Sequence, residues 1–556
     1  MNLLALIFAI VLMLILGRAF QRQIIEYPTF QALAQEQHLV NENIPAKRGK
    51  VLVYDPQLES YYPLATNVSL YSLNVVPTQV KQPELVAAKL MPYLESVTHE
   101  ELIQVLTSGK VWAPPLKRKV GVEEKDAILE LDLDGVVFRT EEYRYYPEDN
   151  LASHILGFVN RDRVGQYGVE GYLTQELSGI SGIAEVEKSS LGSQITIGRR
   201  NITLAEDGAD VVLTIDRAVQ YFVEKKLKES VEEHEATGGT VIIMEPNTGR
   251  IIAMAAYPDF NPNFYNEFPL ENFTNSNVSL VYEPGSVFKV LTMAAGIDAG
   301  LVAPNTVYTD EGELTIGEDT IRNADLKAHG KQTMTQVLEK SLNTGAVFVV
   351  EKLGRQLFYK YLIDFGFGTI TNVGLSGEVA AGVRPFRSWP ELDMASMSFG
   401  QAIAVTPMQL LASVGVIANQ GKLMQPHVVD KIVYPSGAVS IDDKIVKEVI
   451  KPQTAQLVSA MMVNVVEKGH GKSAGVPGYR VAGKTGTAQI AKNTGGYEKD
   501  YTIGTFVGFA PVEKPRFVML TRIDRPEGTK FAESSAAPLF GDIAKFLVNY
   551  YQIPPR

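Results

Sequence analysis

The sequence contains no cysteine, which excludes disulfide bonds, thiolate metal sites and a cysteine nucleophile. Its seven histidines are scattered, and none forms a close metal-binding pair such as HExxH. The chain also lacks a long basic run, and its formal net charge of −11 argues against nucleic acid as a partner. Because a cysteine-free chain is stable in oxidising and reducing surroundings alike, these absences leave the compartment open.

What is present is the composition of a globular protein with a large core. Of the 556 residues, 45% are hydrophobic and 21% are charged, which excludes disorder and collagen-like repetition. At ~150 residues per domain, a chain of this length is expected to form about three or four structural units.

The N-terminal segment is apolar without interruption over residues 3–17. As a helix this run measures ~23 Å, short of the ~30 Å hydrocarbon core of a bilayer unless flanking residues contribute. We interpret residues 1–20 as an uncleaved transmembrane anchor, because Gly17-Arg18-Ala19 is a poor signal-peptidase site. Arg18 and Arg22 follow the run and no basic residue precedes it, so the positive-inside count opposes an extracytoplasmic location for the rest of the chain.

The pattern of predicted elements changes near residue 210. Residues 21–210 are predicted to form short strands, small helices and glycine-rich loops. After a strand at 211–215, Asp216 caps a predicted amphipathic helix, and residues 240–256 predict a hairpin. A second hairpin is predicted over 502–523, with a last helix after Pro538. Residues 211–556 are therefore expected to be α+β, with an antiparallel sheet whose first and last segments pair.

The first candidate motif is Glu-Pro-Gly-Ser-Val-Phe-Lys at 283–289. A chain break at Pro284-Gly285 places Ser286 at a predicted helix N-terminus, where free N–H groups and the helix dipole favour a developing oxyanion. Lys289 follows one turn later on the same face. A desolvated lysine beside a second cation can serve as the base for a serine nucleophile. Alone, S-x-x-K is weak, because a helix cap followed by a solvated lysine has the same pattern.

A second motif, Ser341-Leu342-Asn343, follows a helical stretch. A hydroxyl and an amide at this spacing can relay a proton and hold a substrate amide. The signal is poor, because the same triplet occurs at residues 72–74, where we predict a strand without function.

The third motif is Gly-Lys-Thr-Gly-Thr-Ala-Gln at 483–489, which predicts an edge strand. Its glycines, Gly486 among them, would let a substrate approach the backbone closely. Lys484 with the hydroxyls of Thr485 and Thr487 forms a row suited to a carboxylate. The N–H groups of Thr487 and Ser286 could form an oxyanion hole, and Lys484 supplies the second cation near Lys289.

A misleading pattern overlaps the third motif. Residues 478–485 match the P-loop consensus G-x-x-x-x-G-K-[ST] letter for letter. A P-loop follows a buried strand and opens a helix, whereas the segment before this match is polar and the segment after it is strand-like. The NTPase interpretation is therefore only a remote alternative.

The ordered set S-x-x-K, S-x-N and K-T-G is typical of active-site-serine penicillin-recognising enzymes. The chain resembles class B penicillin-binding proteins, which are monofunctional peptidoglycan D,D-transpeptidases, over nearly its whole length. Further segments that resemble the family's boxes are residues 45–51, 154–159, 165–170, 213–216 and 253–263.

The resemblance implies a non-catalytic pedestal of the dimerisation or partner type at 21–210 and a transpeptidase domain at 211–556. It implies that Ser286 is acylated by a D-Ala-D-Ala stem peptide, that Lys289 is the base, and that β-lactams are trapped at Ser286. Ser341 and Asn343 would assist, and an amine from a neighbouring stem would complete the cross-link. No metal or organic cofactor is needed.

Partners and location also follow from the resemblance. The expected partners are stem peptides, the lipid-linked precursor glycan, β-lactams and a membrane glycosyltransferase. The expected location is the cytoplasmic (inner) membrane, with one pass and the catalytic domain on the extracytoplasmic side. The wording around the motifs favours the cell-division branch, with the elongation branch as the alternative.

Two related functions compete with a transpeptidase. A class A β-lactamase would add an E-x-x-L-N box between the second and third motifs, but the only match, residues 339–343, overlaps the second motif. A non-enzymatic β-lactam sensor would acylate and stop, and the intact motif set argues against a purely structural role.

Overall fold

The computed structural model describes residues 2–28, 39–56, 59–94, 97–187, 200–491 and 496–556. The chain divides into two compact units, Met1–Gly49 with Ser178–Ala209, and Lys50–Leu177 with Asp210–Arg556. Each unit is therefore formed from two separate stretches of sequence.

Helices and strands are interspersed along the described chain. The helices are α1 (Asn2–Phe20), α2 (Pro83–Leu90), α3 (His99–Leu106), α4 (Val122–Leu129), α5 (Ser153–Leu156), α6 (Gly168–Tyr172), α7 (Thr174–Ser178), α8 (Arg217–Glu233), α9 (Ser276–Ser279), α10 (Lys289–Asp298), α11 (Met334–Glu339), α12 (Asn343–Asp364), α13 (Glu391–Met397), α14 (Pro407–Ala418), α15 (Pro452–Lys468) and α16 (Ala536–Tyr550). The strands are β1 (Leu39–Ile44), β2 (Val51–Asp55), β3 (Ser60–Val75), β4 (Lys117–Val120), β5 (Val136–Tyr145), β6 (Phe158–Val159), β7 (Gly165–Gln166), β8 (Gly182–Glu187), β9 (Arg200–Thr203), β10 (Asp210–Leu213), β11 (Gly238–Met244), β12 (Ile251–Tyr257), β13 (Val307–Asp310), β14 (Glu313–Ile316), β15 (Asp319–Arg322), β16 (Gly330–Thr333), β17 (Lys422–Met424), β18 (Val429–Tyr434), β19 (Gly437–Ser440), β20 (Ile445–Glu448), β21 (Ala482–Ala491), β22 (Tyr497–Ala510) and β23 (Phe517–Asp524).

The first unit contains the N-terminal helix and a three-stranded sheet of order β1-β8-β9. Helix α1 continues into a π-helical turn at Gln21–Ile25, and Leu3–Ile25 is long and apolar enough to cross a membrane. The helix exceeds the apolar run that predicted it because the flanking residues are also helical. At ~1.5 Å per residue it reaches the thickness of a hydrocarbon core.

The central sheet of the second unit has the order β12-β11-β23-β22-β21 and is antiparallel throughout. The prediction that its first and last segments pair is confirmed, since Thr240 in β11 lies opposite Arg522 in β23. Helices cover both faces, and the predicted α+β class is correct. Helices α8 and α16 pack on one face, whereas α10 and α14 belong to the core on the other.

A second sheet joins strands that are distant in the sequence. Its order is β19-β18-β10-β2-β3-β4, and β5 also pairs with β3. Val211 of β10 lies parallel to Val51 of β2 and opposite Ile432 of β18. The division of the chain at residue 210 stays a prediction, and this sheet contains strands from both sides of that position. Ser72 and Asn74, the duplicate of the second motif, are buried within β3, so their prediction as a strand is confirmed.

Candidate active site

The first motif lies where a tight turn enters a buried helix. Gly285–Phe288 form a 3₁₀ turn, and α10 begins directly after it at Lys289. Ser286 is therefore at the helix entrance as predicted, although inside a 3₁₀ turn rather than at a capping position. Lys289 is only 1% exposed, and Ser286 is half-buried.

Glycine backbone contacts hold this turn on two sides. Gly285 has φ +58°, and its N–H donates to the carbonyl oxygen of Gly400 at 3.0 Å. A Cβ on Gly400 would lie 2.1 Å from the Gly285 oxygen, and one on Gly486 would lie 2.7 Å from the Pro284 oxygen. The turn that carries Ser286 is thus packed between the loop at residue 400 and strand β21, too closely for any side chain to intervene.

Ser341 occupies the left-handed position that ends α11, with φ +57°. The N–H of Leu342 donates to Val337 O at 3.0 Å, and the N–H of Ser341 donates to Leu338 O at 3.3 Å. These bonds form a Schellman ending, in which the left-handed residue is usually glycine. A serine in this left-handed conformation carries backbone strain of about 1–2 kcal/mol, which a glycine would not have.

Two buried lysines share the Ser341 hydroxyl. Lys289 Nζ donates to Ser341 O at 2.5 Å and to Ser341 Oγ at 3.2 Å. Lys484 Nζ donates to the same Oγ at 3.1 Å and to Thr485 O at 3.0 Å. Lys484 is 0% exposed, so all three motifs meet in a site from which water is excluded around the lysines.

Burial changes the protonation of both lysines. Desolvation, reinforced by the positive charge of Lys484, lowers the pKa of Lys289 well below its ordinary value. Desolvation lowers the pKa of Lys484 to about 7, against the opposing effect of the Glu533 carboxylate. The lowered pKa favours the neutral amine form of Lys289. With its two N–H groups directed to Ser341, its lone pair is free to accept a proton.

Asn343 is the first residue of α12, two positions after the shared hydroxyl. Its Nδ2 donates to Arg322 O at 2.7 Å. Because a carbonyl oxygen only accepts hydrogen bonds, this contact fixes the side-chain orientation and leaves Oδ1 as an acceptor for another N–H.

A buried polar network behind α12 has no counterpart in the sequence motifs. Asn323 Oδ1 accepts the N–H of Asn343 at 2.9 Å, and Asn323 Nδ2 donates to Asp310 at 3.0 Å. Asp310, which is 1% exposed, also accepts from Thr344 Oγ1 at 2.7 Å and from the N–H of His329 at 3.0 Å. Burial alone would raise the pKa of Asp310. The hydrogen bonds that its carboxylate accepts outweigh burial, so the pKa of Asp310 lies below its ordinary value. No short motif marks Asp310 or Asn323, because their partners are distant in sequence.

Strand β21 is the edge strand that the third motif predicted. Thr485 Oγ1 lies 3.4 Å from Lys484 Nζ, beside the shared hydroxyl. Thr487 Oγ1 accepts the N–H of Ala532 at 3.2 Å. Gly486 packs against the first motif. The contact of Gly486 with substrate stays a prediction, and so does the oxyanion hole of Ser286 and Thr487.

The P-loop pattern is not a phosphate-binding loop. Residues 482–491 form strand β21, and no helix begins after Lys484-Thr485. The lysine is directed to Ser341, so the strand predicted for this segment is confirmed.

Two family models match the chain. Residues 239–545 match the penicillin-binding protein transpeptidase domain, and residues 43–213 match the penicillin-binding protein dimerisation domain.

Relatives match over most of their length. Stage V sporulation protein D of Bacillus subtilis is 33% identical over 502 residues, covering 89% of this chain and 77% of that protein. A peptidoglycan D,D-transpeptidase FtsI homolog of Mesostigma viride is 28% identical over 577 residues, covering 98% and 94%.

Solved structures share the architecture. Penicillin-binding protein 3 from Mycobacterium tuberculosis, complexed with aztreonam, has a TM-score of 0.72 and 27% identity, covering 93% of this chain and 98% of that chain. Penicillin-binding protein 2X from Streptococcus thermophilus has a TM-score of 0.76 and 22% identity, covering 92% and 80%, a likeness in fold alone.

The Ser341 geometry predicts different effects of two substitutions on stability and the same effect on reactivity. Ser341→Gly relieves the left-handed backbone strain, whereas Ser341→Ala retains it. The free energy of unfolding, measured with denaturant, should therefore be about 1 kcal/mol higher for the glycine variant than for the alanine variant. Both remove the shared hydroxyl and should slow labelling by a fluorescent penicillin by roughly 100-fold or more. Equal stability of the two variants, or unchanged labelling, would contradict the assignment.

Proposed function

The chain belongs to the class B penicillin-binding proteins, serine-type peptidoglycan D,D-transpeptidases of cell wall synthesis, and on that premise we propose the role of each site residue. The observation that carries the proposal is the Ser341 hydroxyl, bound by both buried lysines beside the Ser286 turn. Ser286 is the nucleophile and Lys289 the general base.

The first step is acylation by the donor stem peptide. Ser286 Oγ attacks the carbonyl carbon of the penultimate D-Ala while the lone pair of Lys289 takes the hydroxyl proton. The C–N bond to the terminal D-Ala then breaks. Because Ser341 Oγ accepts from both lysines, its own hydrogen is free to be donated to the leaving nitrogen, and a lysine proton replaces it. The products are free D-Ala and a Ser286 ester.

The second step transfers the acyl group to an amine. The acceptor nitrogen attacks the ester carbon and loses a proton to the basic pair, the C–O bond to Ser286 breaks, and Oγ recovers a proton. The new amide is the cross-link, and the enzyme returns to its starting state.

The remaining site residues hold the donor. Lys484 with the hydroxyls of Thr485 and Thr487 binds the terminal carboxylate, and Asn343 Oδ1 accepts a donor amide N–H. The N–H groups of Ser286 and Thr487 stabilise the oxyanion. Gly486 lets the donor lie against β21, whose outer edge lacks a strand partner in the described sheet.

We also propose a setting for the reaction. Helix α1 anchors the chain by one pass in the cytoplasmic (inner) membrane, and the catalytic domain acts outside it on stem peptides of lipid-linked precursor glycan, beside a membrane glycosyltransferase. The wording around the motifs supports work at the division septum rather than during elongation.

A fluorescent fusion provides a test of this setting. It should concentrate at midcell, and the catalytic domain should be digested by protease added to spheroplasts. Uniform labelling of the side wall would assign the protein to elongation. Protection of the catalytic domain from the protease would show that this domain lies on the cytoplasmic side of the membrane.

The nucleophile assignment predicts a single covalent adduct. Intact mass after penicillin treatment should rise by one penicillin, and peptide mapping should place it on Ser286. Ser286→Ala should lose the adduct while it retains the same melting temperature. An adduct on the alanine variant would mean that another serine reacts, and rapid return to the unmodified mass would indicate a β-lactamase.

The depressed pKa of Lys484 predicts the pH dependence of acylation. Its ammonium form, which binds the carboxylate, is lost as the pH rises through about 7. The second-order rate constant for acylation by a penicillin should therefore decline above that pH. The methyl ester of the same penicillin, which has no carboxylate, should lack this decline. A rate that stays constant from about pH 6 to about pH 9 would contradict the role of Lys484.

A further inference from the structure

The Glu283 carboxylate lies beside the turn that carries Ser286, and the proposed reaction gives this carboxylate no role. Its Oε1 accepts the N–H of Ala402 at 2.9 Å, and the hydroxyl of Tyr497 donates to its Oε2 at 3.1 Å. Both partners are neutral, and among the described residues no lysine, arginine or histidine pairs with Glu283. The side chain is half-buried, and desolvation raises its pKa.

Glu283 and Lys484 lie toward opposite ends of strand β21. The turn at Pro284–Val287 packs against β21 at Gly486 and Thr487. Tyr497, which binds Glu283, begins β22 and lies opposite Ala491 at the far end of β21. The strand thus runs from a cationic end at Lys484, past Ser286, to an anionic end at Glu283.

The donor must lie along this axis in one direction. Its terminal carboxylate is at the Lys484 end and its scissile carbonyl is at Ser286 and Thr487, so the upstream part of the stem continues toward Glu283. At ~3.3 Å per residue, the stretch of β21 from Thr487 to Ala491 is ~13 Å long. A stem that extends along this stretch would bring a long side chain, about one to three residues upstream of the scissile bond, within reach of Glu283.

We propose that Glu283, oriented by Tyr497 and Ala402, is a specificity residue that binds the side-chain ammonium of the donor stem peptide. The inference rests on the proposed function. A cross-link requires a free amine in the acceptor stem, and donor and acceptor are stems of the same polymer, so each donor also carries that amine. The donor is therefore anionic at its terminus and cationic upstream, which matches the two ends of β21.

A purely structural role would give a different response to charge. The bonds from Ala402 and Tyr497 connect the loop at residue 400 to the β21–β22 hairpin. Glutamine can preserve both contacts, because its Oε1 accepts the Ala402 N–H and its Nε2 donates to the Tyr497 hydroxyl oxygen. Glu283→Gln therefore removes the charge and keeps the bridge. Only recognition of a cation makes the effect depend on the charge of the substrate.

The test compares D-alanine release by the full-length protein from three peptides that end in D-Ala-D-Ala. They carry at the upstream position a free side-chain amine, the acetylated amine or the succinylated amine. For the unsubstituted protein, kcat/KM should fall in that order, with roughly a tenfold preference for the amine over the acetylated peptide. Glu283→Gln should remove this preference and leave the acetylated peptide unchanged. The control Glu448→Gln, an exposed glutamate on β20, should behave like the unsubstituted protein.

Three results would overturn the proposal: equal rates for the three peptides with the unsubstituted protein, a preference that survives in Glu283→Gln, or equal slowing of the amine and acetylated peptides by that substitution. Labelling of Ser286 by a fluorescent penicillin is measured in parallel. If the unsubstituted protein is not labelled, the proposed function itself fails. If it is labelled and the preference does not change, only the role of Glu283 fails.

Discussion

The shared hydrogen bonding of Lys289 and Lys484 to one hydroxyl is the interaction on which the site depends. Neither lysine is more than 1% exposed, and burying two ammonium groups side by side would be costly. Desolvation lowers the pKa of both lysines, and the positive charge of Lys484 lowers that of Lys289 further. In the proposed mechanism Lys289 is the base and Lys484 the cation, two roles for one residue type that differ only through the surroundings of each lysine.

Close backbone packing and a buried carboxylate hold these groups in place. The contacts of Gly285, Gly400 and Gly486 leave no space for a side chain between the Ser286 turn and its neighbours. Asp310 and Asn323 fix the start of α12, which begins two residues after Ser341. Ser341 itself is strained, so its position depends on this support. The groups proposed to react therefore belong to packed elements, as preorganised catalysis requires.

The parts of this arrangement that local chemistry encodes could be predicted from the sequence. The three motifs, the edge strand β21 and the pairing of β11 with β23 follow from residue type, periodicity and turn signals. The left-handed Ser341 could not be predicted, because serine gives no signal for that conformation. Asp310 and the pairing of β10 with β2 were also missed, since non-local contacts create them. Glu283 stood within a recognised motif, but its partner Tyr497 is distant in sequence.

The protonation of the two lysines tests the central claim most directly. NMR of protein labelled with ¹³Cε-lysine, with the two signals assigned by Lys289→Met and Lys484→Met, gives each pKa in the resting enzyme. The account predicts that the Lys289 signal is that of a neutral amine throughout the neutral range and that Lys484 titrates near the value of about 7. Two lysines that both remain charged up to the ordinary lysine pKa of ~10.4 would contradict it.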